Sequence, residues 1–394
     1  MAVQLKAARV AAVPDIAAQL DLASACINAG AESVMARDAA VAPAAGAARA
    51  PLVVIGHRGK GMNALASPDE RLREVKENSV RSFNEAARVA GVGYVEFDVQ
   101  VTKDGCPVIF HDDFIFTEQD GKIIEERMTD LRLDEFLSYG LQKDQDKVGR
   151  PLLRKLKDGR IIGWDVRSDD AFCTLREAFE DVDARVGFNV ELKFDDDLAY
   201  QEEELTGILR TILKVVFEHA KERPVIFSSF QPDAARLMRE LQDQYPVYFL
   251  TNGGTQMYAD ARRNSLEEAV RLCRAGGLQG IVSEARAVFR HPSAVAMVKE
   301  SGLSLLTYGT LNNVPEAVYM QHLMGLDGVI VDLVQEITDA VSDFAAVVAP
   351  VAGHEDGQVG RMELDRAAPA AKTTPYFSQR EISFLLRLIP ELVQ

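Results

Sequence analysis

Residues 94–111 of this chain, YVEFDVQVTKDGCPVIFH, decide how many of its strands run in parallel. Two extended runs, 94–101 and 107–111, are separated only by TKDGC, which is too short for the helical crossover that joins parallel neighbours. An Asp-Gly pair between two extended runs is typical of a β-hairpin. We therefore predict that the second run folds back antiparallel on the first and brings His111 roughly opposite Asp98.

Outside this hairpin, short apolar runs alternate with amphipathic, helix-like segments. Eight extended runs occur, at 52–57 (LVVIGH), 94–101, 188–193 (FNVELK), 224–228 (PVIFS), 246–251 (PVYFLT), 280–283 (GIVS), 303–308 (LSLLTY) and 327–332 (DGVIVD). Helical spacing occurs at 79–90, 174–182, 202–218, 233–242, 265–276, 293–301 and 314–324. Alternating strands and helices predict an α/β fold with a parallel sheet. Eight such strands predict a (β/α)8 TIM-type barrel.

Three segments fall outside this alternation and set the expected domain limits. Residues 113–170 are charged and loop-rich, so we expect a small insertion after the second strand of a barrel that spans 51–340. Residues 341–394 are expected to form a linker and a C-terminal amphipathic helix. Residues 1–50 predict a flexible or partly helical N-terminal extension. Their alanines and arginines are typical of a transit peptide and their acidic residues are not, so an intracellular location in the plastid (chloroplast) or the cytoplasm stays open.

The composition excludes several classes of partner. A formal net charge of −16 argues against a nucleic-acid partner, which needs a basic face. No run reaches about 18 apolar residues, so we predict no integral membrane segment. Four cysteines, Cys26, Cys106, Cys173 and Cys273, lack metal-binding spacing and predict free thiols in a reducing compartment. The oligomeric state stays open.

Ionisable side chains concentrate at the ends of the first three predicted strands and of the hairpin arm. They are His57, Arg58, Glu96, Asp98, His111, Glu191 and Lys193. Chemistry in such barrels is found at the C-terminal ends of the strands. Single pairs of this kind are usually surface ion pairs or structural groups. Their concentration at one end of the barrel instead predicts a shared site.

The types of these residues indicate chemistry at phosphorus. Glu96, Asp98 and Glu191 offer only oxygen ligands, which predicts one divalent cation, Mg²⁺ first and Ca²⁺ as the alternative. Arg58 and Lys193 then supply positive charge for a phosphate. The two histidines, His57 and His111, provide one ionisable group for each of the two proton transfers in a displacement reaction at phosphorus.

The order of the motifs resembles that of the glycerophosphodiester phosphodiesterase family, and the residues within and around the motifs resemble those of its plant members. The matching motifs are HRG at 57–59, ENS at 77–79, EFDVQ at 96–100, FHD at 110–112, ELK at 191–193, FSSF at 227–230 and DGVIVD at 327–332. The resemblance implies that His57 and His111 act as general acid and base. It also implies that Glu77 supports Arg58 or the metal.

The expected reaction is metal-dependent hydrolysis of small-molecule glycerophosphodiesters, such as glycerophosphocholine, to sn-glycerol 3-phosphate and an alcohol. A cyclic phosphate formed by attack of a glycerol hydroxyl and direct attack of water both stay open. The family often carries tryptophan where residues 307–312 read TYGTLN, so the lining around Tyr308 and Gly309 departs from its pattern. A lipid-directed phospholipase of the same barrel type and a non-catalytic phosphodiester-binding scaffold are the alternative functions.

Overall fold

The computed structural model describes residues 52–348. The predicted N-terminal extension (1–50) and the predicted chain beyond residue 348, including the C-terminal amphipathic helix, lie outside the described residues.

Thirteen strands occur in the described part of the chain. They are β1 Val53–Gly56, β2 Val92–Val101, β3 Pro107–Ile109, β4 Phe114–Gln119, β5 Lys122–Arg127, β6 Leu153–Lys155, β7 Ile161–Gly163, β8 Gly187–Leu192, β9 Val225–Ser229, β10 Val247–Thr251, β11 Gly280–Glu284, β12 Ser304–Tyr308 and β13 Gly328–Val331. Eight of them, β1, β2 and β8 to β13, pair in parallel, and β1 pairs with both β2 and β13. The sheet therefore closes into the predicted eight-stranded barrel.

Ten α-helices accompany these strands. They are α1 Val80–Ala87, α2 Leu133–Leu137, α3 Leu175–Asp181, α4 Glu202–His219, α5 Pro232–Leu241, α6 Leu266–Gly276, α7 Ala285–Arg290, α8 Ser293–Glu300, α9 Pro315–Met324 and α10 Val334–Val348. The seven predicted helical segments match α1, α3 to α6, α8 and α9. Helix α10 continues past the boundary predicted at residue 340. No helix in the described part of the chain has the length and apolar character needed to cross a bilayer.

The Asp-Gly hairpin forms as predicted, with a register shifted by one residue. Strand β3 runs antiparallel to β2 with Val99 opposite Ile109, and the Phe110 N–H donates to the Asp98 carbonyl at 3.0 Å. Phe110 rather than His111 therefore faces Asp98. Gly105 has a φ of +82°, the left-handed conformation for which glycine is favoured in a tight hairpin turn.

The insertion after the second barrel strand contains an antiparallel sheet in the order β5-β4-β6-β7, where the sequence indicated mainly loops. Its first hairpin turns at Asp120-Gly121, where φ is +52° and +72°. Such a pair is a hairpin signal of the same kind as Asp104-Gly105. The strands of this sheet have only 3 to 6 residues, and apolar and polar residues alternate only weakly along them. Because charged residues are frequent in them, the sequence pattern does not indicate strands.

Two apolar layers hold the barrel, and a third joins the insertion to it. Side chains inside the barrel pack among themselves, and outward-facing strand residues pack against the helices. In the third cluster Val108 and Phe110 of the hairpin arm pack with Trp164 of the insertion and with Phe172, which follows the insertion. Burial of these aromatic side chains fixes the insertion beside the C-terminal end of the barrel.

Candidate active site

A cavity of about 300 Å³ opens at the C-terminal ends of the barrel strands. Six of the seven predicted site residues line it, namely His57, Arg58, Glu96, His111, Glu191 and Lys193. The seventh, Asp98, is buried, and its Oδ2 atom is 3.4 Å from Arg58 Nε. The fold thus brings the whole predicted set together, while the role of each residue stays a prediction.

Three carboxylates form a compact, buried cluster in this cavity. Glu96 and Asp98 lie two residues apart on β2, and Asp98 is paired in register with Glu191 on β8. One oxygen of each lies within 4.8 Å of the others. Glu96 Oε1 is buried and has no hydrogen-bond partner in the part of the chain that the structure describes. An all-oxygen donor set with an unsatisfied buried oxygen fits a hard divalent cation such as Mg²⁺ or Ca²⁺.

The ionisation of this cluster is uneven. Burial, followed by the neighbouring Asp98 carboxylate, raises the pKa of Glu96. Burial also opposes ionisation of Asp98, but His111 and Arg58 outweigh it and lower the pKa of that carboxyl. Like charges in a buried site disfavour one another, so a bound cation would relieve the repulsion in this cluster.

Arg58 is held by its backbone as well as its side chain. It has a φ of +51°, and Asn78, which donates to its carbonyl at 3.0 Å, has a φ of +54°. Such conformations in residues other than glycine are uncommon and concentrate at functional sites. The Arg58 N–H donates to Glu96 Oε2 at 2.9 Å, and Nη1 donates to Glu77 Oε1 at 2.7 Å. Glu77 therefore supports Arg58 and is separate from the carboxylate cluster.

Lys193 supplies the second positive charge. Its Nζ is 3.0 Å from Glu191 Oε1 and 3.9 Å from Asp98 Oδ1. Burial opposes its charge, but these two carboxylates raise the pKa of Lys193, so it stays protonated. Lys193 and Arg58 together make the cavity suited to an anionic phosphate group.

His57 is oriented by a carboxylate that the sequence did not single out. Its Nδ1 is 2.7 Å from Asp332 Oδ1, at the end of β13. Asp332 also accepts the Met62 N–H at 2.9 Å and Asn313 Nδ2 at 2.8 Å. Burial works to lower the pKa of His57, but the Asp332 carboxylate outweighs it and raises the pKa to about 8. A raised pKa favours the protonated form of His57 at neutral pH.

His111 has a carboxylate of its own and a different charge environment. Its Nδ1 is 2.7 Å from Asp112 Oδ1. Burial, followed by the positive charges of Arg58 and Lys193, lowers the pKa of His111. These surroundings favour the neutral form of His111, which is the form that can accept a proton.

Three supporting residues were missed by the sequence interpretation. Asp112 directly follows His111 in the motif FHD, and Asp332 ends the motif DGVIVD at the end of a barrel strand, so each position was available as a signal. Arg154, on β6 of the insertion, contacts Asp112 Oδ1 at 3.0 Å and had no signal in the sequence.

The lining that departs from the family pattern is aromatic. Tyr308 and Phe230 both line the cavity, with ring centroids 6.0 Å apart and an interplanar angle of 90°. The Tyr308 hydroxyl donates to the Asn252 side-chain carbonyl. Tyrosine therefore contributes an aromatic wall here, with a fixed polar edge.

Replacing Asp332 by asparagine should lower kcat by roughly 10- to 100-fold, the usual effect of removing an orienting partner. The amide cannot stabilise a protonated His57 as a carboxylate does. Steady-state assays of Asp332→Asn against Asp339→Asn, an exposed position on α10, measure the effect. Equal kcat values in the two variants would contradict an orienting role for Asp332.

Comparison with known proteins places this site in a family. Residues 57–336 match the model of the glycerophosphoryl diester phosphodiesterase family. The chain belongs to this family. It is similar to glycerophosphodiester phosphodiesterase GDPD2 of Arabidopsis thaliana, with 57% identity over 86% of this chain and 89% of that protein. It is also similar to GDPD1, chloroplastic, of the same plant, with 56% identity over 87% and 90% of the two chains.

A solved structure agrees on the fold. A glycerophosphoryl diester phosphodiesterase structure from Silicibacter pomeroyi superposes with a TM-score of 0.56 at 21% identity, covering 75% of this chain and 94% of that one. The chain is thus a plant-type glycerophosphodiester phosphodiesterase, as its motifs predicted.

Proposed function

We propose that the enzyme uses one divalent cation, Mg²⁺ first and Ca²⁺ as the alternative, to hydrolyse small glycerophosphodiesters such as glycerophosphocholine. The products are sn-glycerol 3-phosphate and the free alcohol. One observation carries the proposal: two histidines, each bonded to its own carboxylate, share a single cavity with three clustered carboxylates and two cationic side chains.

Glu96, Asp98 and Glu191 are the residues that would hold the cation. When bound, it supplies Lewis-acid polarisation of a phosphoryl oxygen and lowers the pKa of a coordinated hydroxyl. Arg58 and Lys193 bind the remaining phosphate oxygens and orient the phosphorus atom.

The histidines carry the two proton transfers through their Nε2 atoms. Asp112 engages Nδ1 of His111, which leaves Nε2 with its lone pair to accept the proton of the attacking group, either water or a glycerol hydroxyl. Attack by water gives sn-glycerol 3-phosphate directly. Attack by the hydroxyl gives a cyclic phosphate, which water then opens, with a proton returned to the ring oxygen that leaves. Asp332 likewise engages Nδ1 of His57, so the Nε2 proton is available to the departing alcohol oxygen. His111 is the general base and His57 the general acid.

The aromatic lining supports a small cationic alcohol such as choline. Phe230 and Tyr308 both line the cavity, and quaternary ammonium groups bind over the faces of aromatic rings through cation–π attraction. A lipid-directed activity would need a continuous apolar rim. Within residues 52–348 the large exposed apolar side chains instead lie on separate segments, namely Ile123, Leu141, Val148, Leu198, Phe217 and Met257.

The substrate class is tested by comparing soluble and lipid diesters. We expect the purified enzyme to release sn-glycerol 3-phosphate from glycerophosphocholine, measured with a coupled glycerol 3-phosphate dehydrogenase. We expect no release of headgroup or phosphatidic acid from phosphatidylcholine liposomes. Faster turnover of the liposomes would favour the phospholipase, and no turnover of any diester would favour the binding scaffold.

We propose the plastid as the location, supported by the chloroplastic name of the relative at 56% identity. Imaging of the full chain with a C-terminal fluorescent protein tests this, and a purely cytoplasmic signal would contradict it.

A further inference from the structure

One arginine of the insertion reaches the barrel site from outside the barrel. Arg154 lies on β6, where it is paired with Ile162 of β7. Its side chain is only 11% exposed, and the guanidinium carbon is 4.2 Å from the centroid of the Trp164 ring. A guanidinium stacked on an aromatic face has little freedom to turn, so its remaining donors point in fixed directions.

The Nη2 group of Arg154 lies between two carboxylate oxygens. It is 3.0 Å from Asp112 Oδ1 and 3.1 Å from Glu77 Oε1. Each oxygen already has a second partner in the site. Asp112 Oδ1 is 2.7 Å from His111 Nδ1, and Glu77 Oε1 accepts Arg58 Nη1 at 2.7 Å. A single nitrogen thus joins the carboxylate that orients a histidine to the carboxylate that orients the phosphate-facing arginine.

The two carboxylates depend on this contact to different degrees. Glu77 is almost fully buried and keeps Arg58 as a partner without Arg154. The side chains of Asp112 and His111 are 26% and 32% exposed, so packing alone does not fix them. A charge-assisted bond from a rigid donor restricts Asp112 to the position that engages His111 Nδ1.

The same part of the insertion also contacts the loop after β1. Trp164 Nε1–H donates to Asn63 Oδ1 at 3.1 Å, and Asn63 exchanges backbone and side-chain hydrogen bonds with Glu77. Arg154 is therefore anchored on its own sheet and on the barrel loop, which gives its position independent support.

We propose that Arg154 is a positioning residue that the insertion supplies to the catalytic machinery. It holds Asp112 against His111 and Glu77 against Arg58. The inference rests on the proposed roles of His111 and Arg58. It gives the insertion a part in turnover in addition to packing.

The test uses Arg154→Ala in the full chain with chemical rescue. We expect kcat on glycerophosphocholine to fall about 10- to 100-fold, as for other orienting partners. Millimolar guanidinium should restore part of the lost kcat, and potassium chloride at equal ionic strength should not. Trp164 is the only tryptophan of the chain, so its fluorescence should report guanidinium binding over the same concentration range. A merely structural role predicts no such rescue.

A matched control and a double variant sharpen the test. Arg160→Ala, which removes an exposed arginine paired with Asp158 in the same insertion, should keep wild-type kcat. If Arg154 acts largely through Asp112, Arg154→Ala combined with Asp112→Asn should lose less than the product of the two single losses.

Wild-type kcat in Arg154→Ala, or a loss that guanidinium does not rescue, overturns the inference. Should that variant not fold, Arg154→Gln takes its place: a lower kcat at an unchanged melting temperature supports the inference, and wild-type kcat overturns it. Failure of the proposed function is distinguishable, because the wild-type enzyme would then hydrolyse no glycerophosphodiester.

Discussion

Removal of divalent cations should reduce glycerophosphodiester hydrolysis by about 10³-fold, since a bound cation contributes several kcal/mol to stabilising charge in the transition state. The reason lies in the cluster of Glu96, Asp98 and Glu191, whose oxygens lie within 4.8 Å of one another. Burial, followed by the neighbouring Asp98 carboxylate, raises the pKa of Glu96, and Glu96 Oε1 has no hydrogen-bond partner among residues 52–348. Without a bound cation, these three carboxylates have little role in the proposed reaction.

The measurement is a chelator-stripped assay with Mg²⁺ or Ca²⁺ added back. Glu191→Gln should raise the cation concentration needed for half-maximal activity, whereas Glu203→Gln, at an exposed position on α4, should leave it unchanged. Thermal unfolding gives a readout that is independent of turnover. Cation should raise the melting temperature of the wild-type protein, because a ligand that binds only the folded state stabilises it, and should raise that of Glu191→Gln less. Full activity in the stripped enzyme would contradict a metal requirement.

Replacing either histidine by alanine should lower kcat on glycerophosphocholine by about 10²- to 10⁴-fold, the usual range for a general acid or base. The two losses should differ when the leaving alcohol is weakly basic. The 4-nitrophenyl ester of sn-glycerol 3-phosphate needs little help from an acid, so His57→Ala should recover most of its rate on that substrate. His111→Ala should stay impaired because the attacking group still needs a base.

The leaving-group comparison separates the roles that the surroundings of the histidines indicate. The carboxylate of Asp332 favours the protonated form of His57, while Arg58 and Lys193 disfavour that of His111. His219→Ala is the control, because that histidine pairs with Glu180 on the outside of the barrel at 3.3 Å. The reverse pattern on the nitrophenyl ester would exchange the two roles. Unchanged kcat in both histidine variants would place the chemistry elsewhere.

Much of the fold was accessible from local patterns. Alternation of apolar runs with helical segments is a local signal, and the Asp104-Gly105 turn identified β3 as the antiparallel arm that pairs with β2 without being a barrel strand. The approximate register of that hairpin differs from the observed one by a single residue, because an Asp-Gly pair indicates a turn without fixing how many residues the loop contains. The insertion sheet was missed although Asp120-Gly121 carried a related turn signal, since its strands are short and only β4 has a run of buried residues.

The candidate site was predictable where its residues lie on barrel strands. Strand ends are fixed once the fold is known, so Glu96, Asp98 and Glu191 could be expected to meet. The contacts that orient the site residues were not predictable in this way, because the two partners of each contact are distant in sequence. Asp332 lies 275 residues from His57, and Arg154 lies 42 residues from Asp112 on a sheet that was not predicted.

The sequence by itself determined the barrel, the end of the barrel that carries the chemistry, and the two histidines and three carboxylates gathered there. Those features follow from the spacing of apolar residues, from the residues at the turns and from the order of the motifs, which are all local properties of the sequence. Only the tertiary structure decided which carboxylate pairs with each histidine and that the insertion contributes Arg154. Such pairings require atoms within about 3 Å of one another. Chain closure between β1 and β13 and packing of the insertion on the hairpin arm set these distances, and neither is encoded in local spacing.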